Sequence, residues 1–277
     1  MRNYADVHEA YDKGRFHQYE IRKVTGSIPI LRWFDLSYSG GLPLPNYYAS
    51  EPLVQANMEG NKGVYKGATG GQKYVHKICM TAFSLNHISA QLHLLDYISY
   101  VPFVDLDSTD PQDVVCTDLP RYTDGVGLRV IAVCQGAGTG NTNLTMTYLN
   151  QDGVEKSATT TLETNNTAGA IITAGQVTTG SGYMRFALGD TGITKIISVT
   201  NSTAVGAICA LVIVKPLCTI QCIELRTPNE VDYFIEKSSM PKVHDDAYLN
   251  FICFNNYTGA ITPTLHGYIQ FVWSENV

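Results

Sequence analysis

Four stretches hold the residue types and spacings that could do chemistry. The acidic run Asp105-Leu106-Asp107-Ser108-Thr109-Asp110-Pro111-Gln112-Asp113 sets oxygen ligands at alternate positions, a pattern that suits calcium. It lacks the glycine of an EF-type turn and a glutamate at the twelfth position, so a solvated acidic turn is expected over 105–113. Gly136-Ala137-Gly138-Thr139-Gly140-Asn141 has the glycine density of a phosphate-cradling loop. That chemistry needs a helix N-terminus directly afterwards, and Thr142–Tyr148 instead alternates like a strand. Cys218 and Cys222 lie four apart, but zinc would need a second ligand pair at motif spacing. His244 beside Asp245-Asp246, just after Pro241, reads as a turn rather than an acid/base pair. His76, His87, His93 and His266 are scattered, and the chain contains no GxSxG elbow and no HExxH pair. The expectation is therefore no enzyme, no metal and no cofactor.

The elements around these stretches read as strands. Residues 183–216 contain three apolar runs, Tyr183–Leu188, Ile193–Val199 and Ala207–Val214, each short and rich in β-branched residues. Gly189-Asp190-Thr191-Gly192 suits a hairpin between the first two, and Lys215-Pro216 is expected to close the third, because proline cannot donate to a ladder. Further strands are expected at Lys73–Leu85, Gly127–Cys134, Asn143–Leu149, Val154–Leu162, Ala170–Thr173, Val231–Ile235, Tyr248–Phe254 and His266–Trp273. Asp152-Gly153 marks a hairpin between Asn143–Leu149 and Val154–Leu162. Ile88, Leu92, Leu95 and Ile98 stand at helical spacing after a capping Asn86, which predicts one short helix near 87–100. A short helix is also expected near Ala5–Lys13. The fold class expected is mainly β: a jelly-roll-like or related Greek-key β-sandwich with an extended irregular N-terminal arm.

The 277 residues are enough for one large β domain with appendages or for two modest domains. A net charge of -6 leaves no basic field to neutralise phosphates, so nucleic acid is not an expected partner. No apolar run approaches the roughly 20 residues of a membrane helix, and the start MRNYADVHEAYDKGRF has no secretory apolar core. Seven cysteines, several within apolar runs, read as buried free thiols of a protein made in a reducing cytoplasm. The four Asn-X-Ser/Thr sequons then follow from Asn/Thr-rich strands.

Residues 26–74 are irregular, broken by Gly40-Gly41, Pro43, Pro45 and Pro52, yet too aromatic for a solvated linker. They either fold over their own sheets or reach a neighbouring subunit. The second reading is favoured, which divides the chain into an interaction arm at 1–75 and a sandwich at 76–277. Its interface anchors would be Tyr19, Trp33, Phe34, Tyr38, Tyr47, Tyr48 and Tyr65.

Several stretches together resemble virion structural proteins of tailed bacteriophages: Trp33-Phe34-Asp35-Leu36-Ser37, Asn46–Leu53, Leu94-Leu95-Asp96-Tyr97 with Pro102–Asp105, Leu119–Gly125 and Asp245–Phe251. They are turn and packing motifs rather than catalytic signatures. The resemblance implies a virion protein made in the host cytoplasm, of capsid auxiliary (decoration or cement) type. Its partners would be the major capsid protein and copies of itself in a homo-oligomeric assembly. The competing reading is a neck, tail or fibre component with a receptor- or glycan-binding sandwich, using loops such as Gly136–Asn141.

Overall fold

The computed structural model describes residues 4–45, 48, 50–60, 71–83, 90–165, 167–173, 182–237, 239–255 and 260–275. In chain order the elements are α1 (Tyr4–Asp12), β1 (Phe16–Val24), β2 (Trp33–Asp35), a 3-10 turn (Leu36–Tyr38), β3 (Gly40–Leu42), β4 (Ala56–Asn57) and β5 (Lys73–Phe83). There follow β6 (Ala90–Asp105), β7 (Gln112–Asp113), β8 (Arg129–Gly136), β9 (Asn141–Asn150), β10 (Glu155–Glu163), β11 (Ala170–Ile171) and β12 (Ile193–Asn201). The chain ends with β13 (Ile208–Cys222), β14 (Asn229–Asp232), α2 (Tyr233–Glu236), β15 (Lys242–Val243), β16 (Leu249–Asn255) and β17 (Thr264–Trp273). It is mainly β, as the sequence predicts.

The two longest strands organise the rest. β6 and β13 pair antiparallel over their whole lengths, from Ile208 opposite Asp105 to Cys222 opposite Ala90. Around them the central sheet closes on itself through β6, β13, β8, β11, β2, β16 and back to β6. Its interior is filled by Trp33, Leu95, Tyr97, Ile131, Val133, Val212, Val214 and Ile252. Because side chains alternate across a strand, the opposite face of the same strands is also apolar, and it is covered in two halves. Leu92, Leu94, Cys218, Ile220, Leu249 and Phe251 pack on the six-stranded sheet β14-β5-β17-β1-β3, in which β15 also pairs with β5. Ile98, Val101, Val104, Leu211, Ile213, Val130 and Ala132 pack on the four-stranded sheet β10-β9-β12-β7. Two sandwiches thus share one pair of strands, joined end to end.

That arrangement explains where the sequence reading fails. Residues 90–100, expected to be the C-terminal part of a helix over 87–100, lie in β6; Asn86 and Ile88 lie outside the described residues. A strand buried on both faces is a near-continuous apolar run, in which a helical spacing can be picked out by chance. β13 continues eight residues past Val214, the expected end of the run: Pro216 sits opposite Leu95 at a register irregularity, beyond the point where β8 ceases to pair at Val214. A proline at such a site displaces little of the ladder. Residues 183–188 form no strand, since the chain there runs irregularly beside the barrel. The Asp152-Gly153 hairpin is as expected: Gly153 has φ +70 and its amide donates to the Asn150 carbonyl.

The proposed boundary at residue 75 does not separate an arm from a sandwich in this chain. β1 lies between β17 and β3, β2 between β11 and β16, and β4 against β6. Segments 16–24 and 33–35 are internal strands of sheets completed by the last quarter of the sequence.

Candidate functional site

Among the described residues, the ionisable groups furthest from their ordinary behaviour are in the core. Asp35 closes β2 and caps the 3-10 turn that follows it. Its Oδ1 accepts from the Ser37 amide at 2.9 Å and the Tyr97 hydroxyl at 2.7 Å. Its Oδ2 accepts from the Ser37 hydroxyl at 2.7 Å and the Tyr48 hydroxyl at 2.6 Å. The residue is fully buried, and burial pushes its carboxyl above the usual range while the four hydrogen bonds pull it back. Lys23, equally buried, donates from Nζ to the carbonyls of Ser39 at 3.2 Å and Pro43 at 2.5 Å. Burial lowers its ammonium to about 8, with Asp35 acting in the opposite sense. Buried charge survives only when paired and hydrogen-bonded, and here one carboxylate ties β2, β6 and the Tyr48 segment together.

A second buried pair lies on the same strand as Tyr97. Arg121 grips Asp96 with Nε on Oδ2 at 2.9 Å and Nη2 on Oδ1 at 2.5 Å, and donates to the carbonyls of Met58 at 2.9 Å and Tyr97. The Tyr248 amide also donates to Asp96 Oδ1. Burial pushes Asp96 up to about 6, and Arg121 pulls the other way. Such a fork holds the 118–126 loop against the barrel. Both clusters are closed to solvent. They can fix geometry but cannot meet a substrate.

The anchors predicted from sequence are largely brought inward. Trp33 and Tyr48 are in the barrel interior, Phe34 is in the core under the six-stranded sheet, and all three are buried. Tyr38 and Tyr19 are half-buried and pack against these same cores. Tyr47 and Tyr65 lie outside the described residues. Trp33 stacks near His93 and Phe254, with ring centroids 4.5 and 5.1 Å away. The expectation that Trp33, Phe34 and Tyr48 grip a neighbour is therefore corrected. Their apolar surface is satisfied by strands of their own chain.

The other sequence candidates are occupied locally. In the acidic turn, Asp105 accepts from the Asp107 amide, Ser108 from the Asp110 amide, and Asp107 from the Gly206 amide. Gly136–Asn141 joins β8 to β9. Cys218 and Cys222 both point into one apolar core, and burial pushes the Cys222 thiol up to about 11. His244 packs edge-on to Tyr122 while Asp245 pairs with Lys73 at 3.4 Å. Among the described residues, no group of three or more His, Cys, Asp or Glu could hold a metal.

The open surface of most interest lies where β13 outruns β8. A cleft of about 980 Å³ separates residues 216–223 from β14 and α2, lined by His93, Tyr183, Leu217, Ile223, Val231 and Tyr233 among others. The Tyr233 hydroxyl accepts from the Thr219 amide and donates to the Thr219 carbonyl, standing in for a strand neighbour. Beyond α2 a second cavity of about 420 Å³ opens toward α1, with Tyr4, Tyr11, Phe234 and Ile235 on its walls. Ile223 is 66% exposed, Ile235 68% and Tyr4 66%. Burial holds the His93 imidazole down at about 4. Sequence reasoning missed this rim because its residues come from α1, β13 and α2, with no shared motif.

No helix among the described residues is long and apolar enough to cross a membrane. No family model matches the chain, and no curated protein matches it. Among solved structures, the VP2 subviral particle of infectious bursal disease virus aligns at 9% identity over 94% of this chain and 81% of that one, with a TM-score of 0.17. The Gt strain of the same virus aligns at 10% identity over 95% and 82%, also with a TM-score of 0.17. Similarity at this level carries no structural or functional argument.

Proposed function

We propose that this chain is a non-enzymatic structural protein of a tailed-phage particle, an auxiliary capsid protein that binds and stabilises neighbouring shell subunits. The sequence resemblance to virion proteins supports it, as does a fold whose buried charges brace strands rather than line a cleft. The observation that carries the reading is the apolar rim around α2, where Tyr4, Ile223 and Ile235 are each about two-thirds exposed at the edges of two cavities. Tyr4 and Ile235 line one cavity and Ile223 the other, and large apolar side chains exposed at a cleft suit a contact surface. The rim takes over the role first assigned to the arm, and the partners are the major capsid protein and further copies of the chain.

The test is co-sedimentation of the purified protein with particles lacking it, followed by a map of the decorated particle. Ile223→Asp together with Ile235→Asp is expected to weaken binding by at least about tenfold, since two apolar anchors of 1–2 kcal/mol each are lost. The circular dichroism of the variant should match that of the parent. Undiminished decoration by the double variant, or a map without this chain on the shell, overturns the proposal.

A further inference from the structure

β8 and β13 run antiparallel with Cys134 directly opposite Cys209. In such a ladder, opposed residues alternate between pairs that exchange hydrogen bonds and pairs that do not. The Cys134 carbonyl accepts from the Gly169 amide and the Ala132 carbonyl from the Ile172 amide, both at 2.9 Å. These residues thus turn their backbone groups toward β11 and away from β13. Cys134 and Cys209 therefore meet at a non-hydrogen-bonded position, beside a register irregularity between Ile208 and Cys209; Cα atoms at such positions of a regular ladder stand about 4.5 Å apart. A disulfide spans Cα separations of about 4.4–6.8 Å. Both side chains lie on the face that packs against the four-stranded sheet, and both thiols are free. Among the described residues no other two cysteines are ladder partners.

We propose that Cys134 and Cys209 are a latent cross-strand disulfide, closed by a two-electron thiol oxidant, which locks β8 to β13. The chain between them contains β9, β10 and β12, so the bond ties the root of most of the four-stranded sheet into one covalent loop. With an azodicarboxamide oxidant such as diamide, one thiol adds across the N=N bond, its sulfur to one nitrogen and its proton to the other. The second sulfur then attacks the first, the S–N bond breaks, and the hydrazine leaves with both protons and both electrons. Arg32 stands close enough to favour a Cys134 thiolate, against the opposing and larger effect of burial. Burial makes the reaction slow, and it proceeds as the ladder breathes. The pairing stands independently of any role in a particle.

The experiment exposes the full chain to diamide at 25 °C and again about 5 °C below its unfolding midpoint. Remaining thiols are then alkylated in denaturant and weighed by mass spectrometry. Against the seven cysteines of the reduced chain, the oxidised protein is expected to carry two fewer alkyl groups. Proteolysis should yield one joined peptide pair containing Cys134 and Cys209, and the midpoint should rise by several degrees until dithiothreitol reverses it. Cys209→Ala should abolish the mass deficit. Full alkylation at both temperatures, or joined peptides from other cysteines, overturns the assignment on the parent protein alone, whether or not the variant folds.

Discussion

Replacing Asp35 probes the cluster that joins the first quarter of the chain to the barrel. Asp35→Ala removes the acceptor of four hydrogen bonds at a fully buried site. The Ser37 amide and the hydroxyls of Ser37, Tyr48 and Tyr97 lose their partner together. A buried donor without an acceptor costs about 1–3 kcal/mol. The Ser37 and Tyr48 hydroxyls, 3.0 Å apart, can satisfy one of the two, so three losses remain and the expected cost is about 3–9 kcal/mol. Lys23 also loses its nearest countercharge, but with an ammonium already lowered to about 8 it can shed its proton instead. Domains are stable by only about 5–15 kcal/mol, so the variant should be largely unfolded or close to it. Asp35→Asn keeps an oxygen toward the Ser37 amide and Tyr97, while its amide faces hydroxyls that can rotate to accept; about 2 kcal/mol is expected, because neutral bonds replace charge-assisted ones. Urea unfolding followed by tryptophan fluorescence reads both, since Trp33 is buried two residues away. An alanine variant that loses less than about 2 kcal/mol, or an asparagine variant no better than alanine, refutes the reasoning.

Three further outcomes follow from the same structure. Arg121→Met leaves Asp96 buried without its fork and should cost about 3–5 kcal/mol in urea unfolding, and pairing it with Asp96→Leu should recover much of that loss. His93 is depressed from 6.5 to about 4, so its contribution is complete above pH 6.5 and disappears as pH falls through 4, at most about 3.5 kcal/mol at roughly 1.4 kcal/mol per unit. Asp96, raised to about 6, acts in the opposite sense between about 6 and 3.8. The readout is therefore the difference between parent and His93→Gln, whose stabilities should converge on acidification from pH 6.5 to 4. Gly267→Ala places a Cβ 1.9 Å from the Cys79 carbonyl oxygen on the neighbouring strand. That must push β17 from β5, and a drop in the thermal midpoint of at least about 5 °C is expected for a loss of 2 kcal/mol or more.

The strands were legible where one face is wet. β9 alternates buried with exposed or partly exposed positions, β12 does so around two register irregularities, and their hairpins and loops carry Gly, Asp and Asn, so pattern and punctuation agree. β6 and β13 are buried on both faces because two sandwiches and a barrel interior use the same strands. Their sequences therefore lack the alternation that identifies a strand, and the spacing in β6 mimics a helix. The aromatic stretch 26–74 is too apolar for a solvated linker, but local pattern cannot distinguish a partner's sheet from strands more than two hundred residues later in the same chain. β1 pairs with β17 and β2 with β16, contacts that only topology reveals.

The buried charges follow the same logic. Asp35 and Asp96 sit within the motifs Trp33–Ser37 and Leu94–Tyr97, where an acid amid apolar residues is a warning that something must satisfy it. Neither partner set could be read from spacing: Arg121 is 25 residues from Asp96, and Tyr97 is 62 from Asp35. Adjacent positions Asp96 and Tyr97 face opposite ways along β6, one toward the Arg121 loop and one toward the β2 turn. A one-residue slip of β6 against β13 would, in one direction, put Tyr97 where Asp96 meets Arg121 and, in the other, put Asp96 where Tyr97 meets Asp35. Each slipped state leaves a buried charge without its partner, so the polar pair selects the register that the double-sided apolar surface leaves ambiguous.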